Sequence, residues 1–143
     1  MITQIEQGLA NYLGAAMAED QPTVVARAAT SSEGLDRTRP LVYVKVALEF
    51  LPGSETKARG NVEFVVMTPA NVGDNDAAKQ ADIEAALMTA LSRTNLTAIS
   101  AAVLAASGFN ATGMVWEGFR DGADKQFWSP YLPVLFSFVK PAV

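Results

Sequence analysis

Residues 41–51 alternate strictly between apolar and polar or smaller side chains, and this pattern constrains the fold more than any other feature of the chain. The even positions from Val42 to Phe50 are apolar, and the odd positions include Lys45 and Glu49. A period of two with several β-branched residues predicts a strand with one buried face. Residues 61–68 repeat the pattern, so the two segments are predicted to pair as a long antiparallel hairpin.

The connection between these two strands is predicted to be a long polar loop, from Pro52 to Gly60. Hairpin loops usually have about two to five residues. Lys57 and Arg59 lie in this segment without an apolar anchor. The loop is therefore a candidate arm that contacts another molecule.

The remaining elements follow from spacing and from capping residues. Thr3 and Glu6 have the spacing of a capping box at the start of the first helix. Gly108 follows the third helix, where a left-handed residue is favoured. Pro133 cannot donate to a sheet, which predicts that the last strand lies at an edge or begins to pair only after this residue. The predicted helices are Ile2–Met17, Asp76–Ser92 and Leu96–Ser107, and the further predicted strands are Thr23–Ala29, Thr112–Glu117 and Trp128–Val139.

This order of elements predicts an α+β fold in one domain, residues 1–143. We expect an antiparallel sheet of four to five strands with helices packed on one face. The chain has 143 residues, half of them hydrophobic, which is enough for a substantial core without disulfides.

The composition excludes several kinds of catalytic site. The chain has no cysteine and no histidine, so thiolate chemistry, Ser-His-Asp triads and Cys-His pairs are impossible. The acidic residues are scattered and show no metal-binding spacing. We therefore expect a protein that is not an enzyme, with no cofactor and no metal. The formal net charge of −4 argues against tight binding of nucleic acid, and no membrane span is expected.

Two groups of residues, in predicted loops and at the ends of predicted strands, are candidates for a subunit interface. The cationic residues in predicted loops either keep the chain soluble or meet acidic surfaces of neighbouring subunits. The aromatic residues around the last two strands are either the edge of the core or part of an interface, where aromatic residues and arginine are enriched. The candidates are Arg37, Arg39, Lys57, Arg59, Trp116, Phe119, Arg120, Lys125, Phe127 and Trp128.

In its order of elements the chain resembles the tail terminator, or tail completion, proteins of long-tailed bacteriophages. The resemblance rests on the N-terminal helix Ile2–Met17, the long hairpin Leu41–Thr68 and the helix Asp76–Ser92. It also includes the ending, in which Gly108-Phe109 leads to a strand, a charged loop and the closing strand Trp128–Val139.

The resemblance implies a structural subunit of the virion, assembled in the host cytoplasm and located at the junction of tail and head. Such subunits are expected to form a homo-oligomeric ring, of six copies, on the head-proximal end of the tail tube. The ring would end tube growth and join the tail to the head–tail connector protein. DNA would pass through its lumen without specific binding.

Two other functions remain open at this point. One is a different head–tail connector or tube-like phage structural protein, which electron microscopy distinguishes because a tube protein polymerises without limit. The other is a small-ligand-binding or enzymatic α+β domain, which requires a deep pocket with convergent polar groups.

Overall fold

A computed structural model of the chain describes residues 1–21, 24–29, 40–67, 76–120 and 130–141. The chain begins with a helix, continues with three strands and two helices, and ends with two strands, in the order that the sequence patterns predict. The described elements are α1 (Ile2–Met17), β1 (Val25–Ala28), β2 (Leu41–Phe50), β3 (Lys57–Met67), α2 (Asp76–Ala90), a 3₁₀ turn (Arg93–Asn95), α3 (Leu96–Ser107), β4 (Asn110–Val115) and β5 (Tyr131–Val139).

The five strands form one mixed sheet in the order β1-β2-β3-β5-β4. The pairs β2–β3, β3–β5 and β4–β5 are antiparallel, whereas β1 is parallel to β2, with Val25 opposite Leu41. The α+β class and the five strands agree with the sequence analysis, and the expectation that every pair is antiparallel is wrong for β1. Residues 29–40 separate β1 from β2, which is about the length that a parallel connection needs.

The helices pack on one face of this sheet, as predicted. Val42 and Val44 of β2 and Phe64 of β3 are fully buried in the same core as Leu9 of α1 and Val103 of α3. The period-two pattern that predicts the hairpin therefore marks the buried face correctly.

α1 and α3 lie against each other because Gly8 has no side chain. A Cβ atom on Gly8 would lie 2.9 Å from Val103 Cα and 3.0 Å from the carbonyl oxygen of Ala102. The close approach of the two helix backbones therefore requires glycine at this position.

The β2–β3 loop is shorter than predicted. β3 begins at Lys57, so the loop comprises residues 51–56. It is organised by its own hydrogen bonds: Leu51 N donates to Lys57 O, and Ser54 Oγ accepts the backbone N–H groups of Thr56 and Lys57. The prediction of a long arm carrying Lys57 and Arg59 is wrong, since both residues are exposed members of β3.

The predicted capping box is also wrong. α1 begins two residues earlier than a box with Thr3 as the N-cap requires, with Met1 as its N-cap and no side-chain cap. Glu6 is buried in the interior instead. By contrast, Gly108 ends α3 in the left-handed conformation with φ 81°, as predicted.

β5 lies inside the sheet, between β3 and β4, so the prediction from Pro133 is wrong. Tyr131 and Arg120 exchange two backbone hydrogen bonds, of 2.8 and 3.1 Å, on the β4 side of β5. Alternate residues of a strand direct their backbone groups to the same side, so the missing N–H of Pro133 also lies on that side. It faces the interval between Val115 and Arg120, where the described residues form no ladder, while pairing with β3 continues past it.

Among the described residues, no helix combines the length and the hydropathy needed to cross a lipid bilayer.

Candidate assembly surface

The sheet surface opposite the helices is the candidate functional site, and we call it the open face. It consists of the alternate residues that β2, β3, β5 and β4 direct away from the core. Strand pairing places these residues in three adjacent rows across the sheet. They are a first charged row (Lys45, Glu63, Pro133), a middle row (Ala47, Asn61, Leu135, Val115) and a second charged row (Glu49, Arg59, Ser137, Gly113).

The middle row exposes apolar side chains. Val115 keeps 54% of its surface exposed and Leu135 keeps 44%, although each lies in a strand whose other face is core. The two residues are directly paired across β4 and β5. Ala47 and Asn61 extend the row on β2 and β3 and are also exposed.

The two charged rows carry opposite signs in opposite order. In the first charged row the cation Lys45 is on β2 and the anion Glu63 is on β3. In the second charged row the anion Glu49 is on β2 and the cation Arg59 is on β3. The four side chains therefore form a checkerboard of charge around the middle row, in which each cross-strand pair is attractive.

Two of the cationic interface candidates lie on the helix-free side of β3. Arg59 belongs to the second charged row, and Lys57 lies one position further along the same face, opposite Val139. Arg120 is exposed and bridges to Tyr131, next to the end of β4. The candidates Arg37, Arg39, Lys125, Phe127 and Trp128 lie outside the described residues.

The aromatic candidates Trp116 and Phe119 pack against the core and are half-buried. The indole Nε1–H of Trp116 donates to the carbonyl oxygen of Leu91 at 2.8 Å, at the end of α2. This bond fixes the chain after β4 to the helical layer. These two residues therefore lie at the edge of the core, which is the first of the two alternatives that the sequence leaves open.

A groove of about 430 Å³ opens beside Trp116. Its lining is Met88, Ser92, Arg93, Met114, Val115 and Trp116. Ser92 shares a hydrogen bond with Thr94, and Trp116 already donates to Leu91. Few polar groups therefore converge on the groove, which is not the deep polar pocket that a small-ligand site requires.

Burial perturbs two titratable groups in the helical layer. It raises the pKa of the Tyr12 hydroxyl and, on α2, the pKa of the Glu84 carboxyl. Within the part of the chain that the structure describes, no three acidic side chains are close enough to hold a metal ion together.

Sequence reasoning misses the arrangement that defines the open face. The period of two places Lys45, Glu49 and Glu63 on the side opposite the core, but their alignment depends on the register of β2 with β3. A hairpin loop counted as residues 51–56 would have given that register directly. The pairing of Val115 with Leu135 requires the β4–β5 register, which the sequence pattern does not determine.

The chain matches no protein-family model, and a search of curated proteins finds no significant match.

Proposed function

We propose that this chain is a structural assembly subunit that forms the ring closing the head-proximal end of a bacteriophage tail. In this role the subunit ends growth of the tail tube and presents a docking surface to the head–tail connector. Its work is done by the shape and charge of its surface rather than by chemistry at a catalytic centre.

The observation that carries the proposal is the open face. One of the two faces of the five-stranded sheet is not covered by the described helices, and the middle row of this face exposes Val115 and Leu135. Exposed apolar groups surrounded by polar residues are typical of protein–protein contact sites. An assembly subunit has a use for such a face, since neighbouring proteins cover it in the final structure.

The fold also supports the proposal. The helix, the long hairpin, the paired helices and the two final strands occur in the order in which the sequence resembles tail terminator proteins. A net charge of −4 suits a ring whose lumen lets DNA pass without binding it.

Mixing experiments with tail tubes test the proposal. Tubes are assembled from the tail tube protein of the genome that encodes this chain, and electron microscopy is used to examine them with and without the purified protein. We expect one ring at one end of each tube and no further elongation after the ring has bound. A chain that stays monomeric and never binds tube ends would overturn the proposal, and unlimited polymerisation of the chain alone would favour a tube protein instead.

A further inference from the structure

We propose that a second copy of this chain covers the open face through a twofold axis that runs along the middle row. The two sheets then lie face to face with their strands roughly aligned and antiparallel, about 10 Å apart, as in other packed sheets. The proposal commits to a second copy because the pattern of the open face is complementary to itself.

The middle row supplies the apolar centre of this contact. On a twofold axis along the row, each of its residues faces the same residue of the second copy. Leu135 then packs against Leu135, and Val115 packs against Val115, so each of these exposed apolar side chains of the open face is buried by its own copy. Asn61 faces Asn61, and an amide side chain can both donate and accept a hydrogen bond in such a pair.

The charged rows supply the complementarity. The same axis brings the first charged row of one copy against the second charged row of the other. Lys45 then faces Glu49 of the second copy, and Glu63 faces Arg59 of the second copy. All four contacts join opposite charges, which follows from the checkerboard order of the two rows.

Another orientation satisfies the charges but not the apolar residues. An axis parallel to the strands, between β2 and β3, also joins opposite charges. This rotation places Leu135 over the β1 side of the second copy, past the end of that strand. β1 ends at Ala28, opposite Val44, so Leu135 would meet no residue of β1 there. Leu135 and Val115 would then stay exposed to water, so the axis along the middle row is the one that serves both sets of residues.

This contact goes beyond the proposed ring. A twofold contact is isologous and pairs two subunits, whereas a ring closes through a heterologous contact. The paired form is therefore expected for the free protein, and the open face is released from it when neighbouring proteins of the tail cover the face. Sedimentation equilibrium reports the pairing and electron microscopy reports binding to tube ends, so failure of one proposal is distinguishable from failure of the other.

Two swap variants test the contact. Lys45→Glu/Glu63→Lys reverses the first charged row, and Glu49→Lys/Arg59→Glu reverses the second, while each keeps its cross-strand pairs attractive within the monomer. In either variant alone, the twofold contact joins like charges at all four positions. We expect dimerisation of each variant, measured by sedimentation equilibrium, to weaken by more than about tenfold relative to the wild type.

Mixing the two swap variants provides the decisive result. Across the axis, each reversed row of one variant meets the reversed row of the other, so all four facing pairs become attractive again. We expect the mixture to form heterodimers about as readily as the wild type forms homodimers. An effect on folding or on the monomer surface alone does not produce rescue by mixing.

The apolar centre is tested separately. Leu135→Asp places two carboxylates against each other on the axis and is expected to abolish the dimer. Leu104→Asp is the matched control, because Leu104 is a similarly exposed leucine on α3, away from the open face. The proposal is overturned if the wild type stays monomeric at every concentration, if the swap variants dimerise normally, or if their mixture does not recover.

Discussion

The carboxylate of Glu6 accepts the backbone N–H of Val46 at 2.9 Å, in the buried space between α1 and β2. Along this edge of β2, Val25 N donates to Pro40 O and Ala29 N donates to Val44 O. β1 ends there, and Val46 carries the next amide of the ladder. Glu6 thus replaces the carbonyl that a longer β1 would have provided, which allows a short parallel strand beside a long one.

Replacing Glu6 tests this arrangement. Glu6→Leu leaves the buried amide of Val46 without its acceptor, so we expect the free energy of unfolding to fall by about 1–3 kcal/mol. Glu6→Gln keeps an oxygen at the same place and is expected to cost clearly less. Urea denaturation of the three proteins measures the difference, and equal losses in both variants would contradict the assigned role of the acceptor.

Gly8 and Gly14 form a matched pair within α1. Gly8→Ala pushes a methyl group into the backbone of α3 and is expected to lower the free energy of unfolding by about 1–3 kcal/mol. Gly14 is exposed, and a methyl group added there would meet no atom within 4 Å. Gly14→Ala is therefore expected to raise the free energy of unfolding by about 0.5–1 kcal/mol. Thermal or urea unfolding gives both values. Changes of the same sign would show that α1 does not pack on α3 through Gly8.

Trp116 is expected to stabilise the end of β4 through its hydrogen bond to Leu91. Trp116→Phe keeps an aromatic ring and removes the donor, and the expected loss is about 1 kcal/mol. Hydrogen exchange at the amides of residues 114–116 should rise with it. Unchanged stability and exchange would place Trp116 back among the candidates for a free interface.

The contribution of Tyr12 to the free energy of unfolding is expected to depend on pH in the alkaline range. Its hydroxyl donates to the carbonyl oxygen of Ala90 at 2.6 Å, and burial raises its pKa above the ordinary value of 10.0. Because the folded pKa is the higher one, this contribution is fully present below the unfolded pKa and is lost as the pH rises through the folded pKa. The difference in unfolding free energy between wild type and Tyr12→Phe should therefore be constant at neutral pH and shrink above about pH 10. A difference that stays constant throughout would contradict this role of Tyr12.

The elements with strong local signals are predictable from the sequence. The predicted bounds of α1 and α3 are those that the structure has, because periodicity and Gly108 mark them. The buried faces of β2 and β3 follow from a period of two.

The features that depend on tertiary contacts are not predictable in this way. Glu6 looks like a capping residue in sequence, and only the end of β1 gives it a partner in the interior. The parallel pairing of β1 depends on where the chain goes after Ala28. β5 can lie in the interior of the sheet because the backbone nitrogen of Pro133, which has no hydrogen to donate, is directed away from β3. The sequence does not show to which side of the strand this nitrogen is directed.

The candidate site shows the same division. The charge of Arg59 identifies it as a candidate, but the sequence pattern assigns it to a loop, and its relation to Glu49 depends on the register of β2 and β3. The exposure of Leu135 and Val115 depends on the absence of a described layer over one side of the sheet, which hydropathy does not reveal.

A crosslinking measurement tests most directly whether the open face is a contact surface between copies of this chain. Because the chain has no cysteine, Asn61→Cys introduces one thiol, on the proposed axis, and Ala105→Cys introduces one on the exposed side of α3. With a short bismaleimide, we expect Asn61→Cys to give a covalent dimer and Ala105→Cys to stay monomeric. Equal crosslinking of the two variants, or none for Asn61→Cys at any protein concentration, would contradict the account.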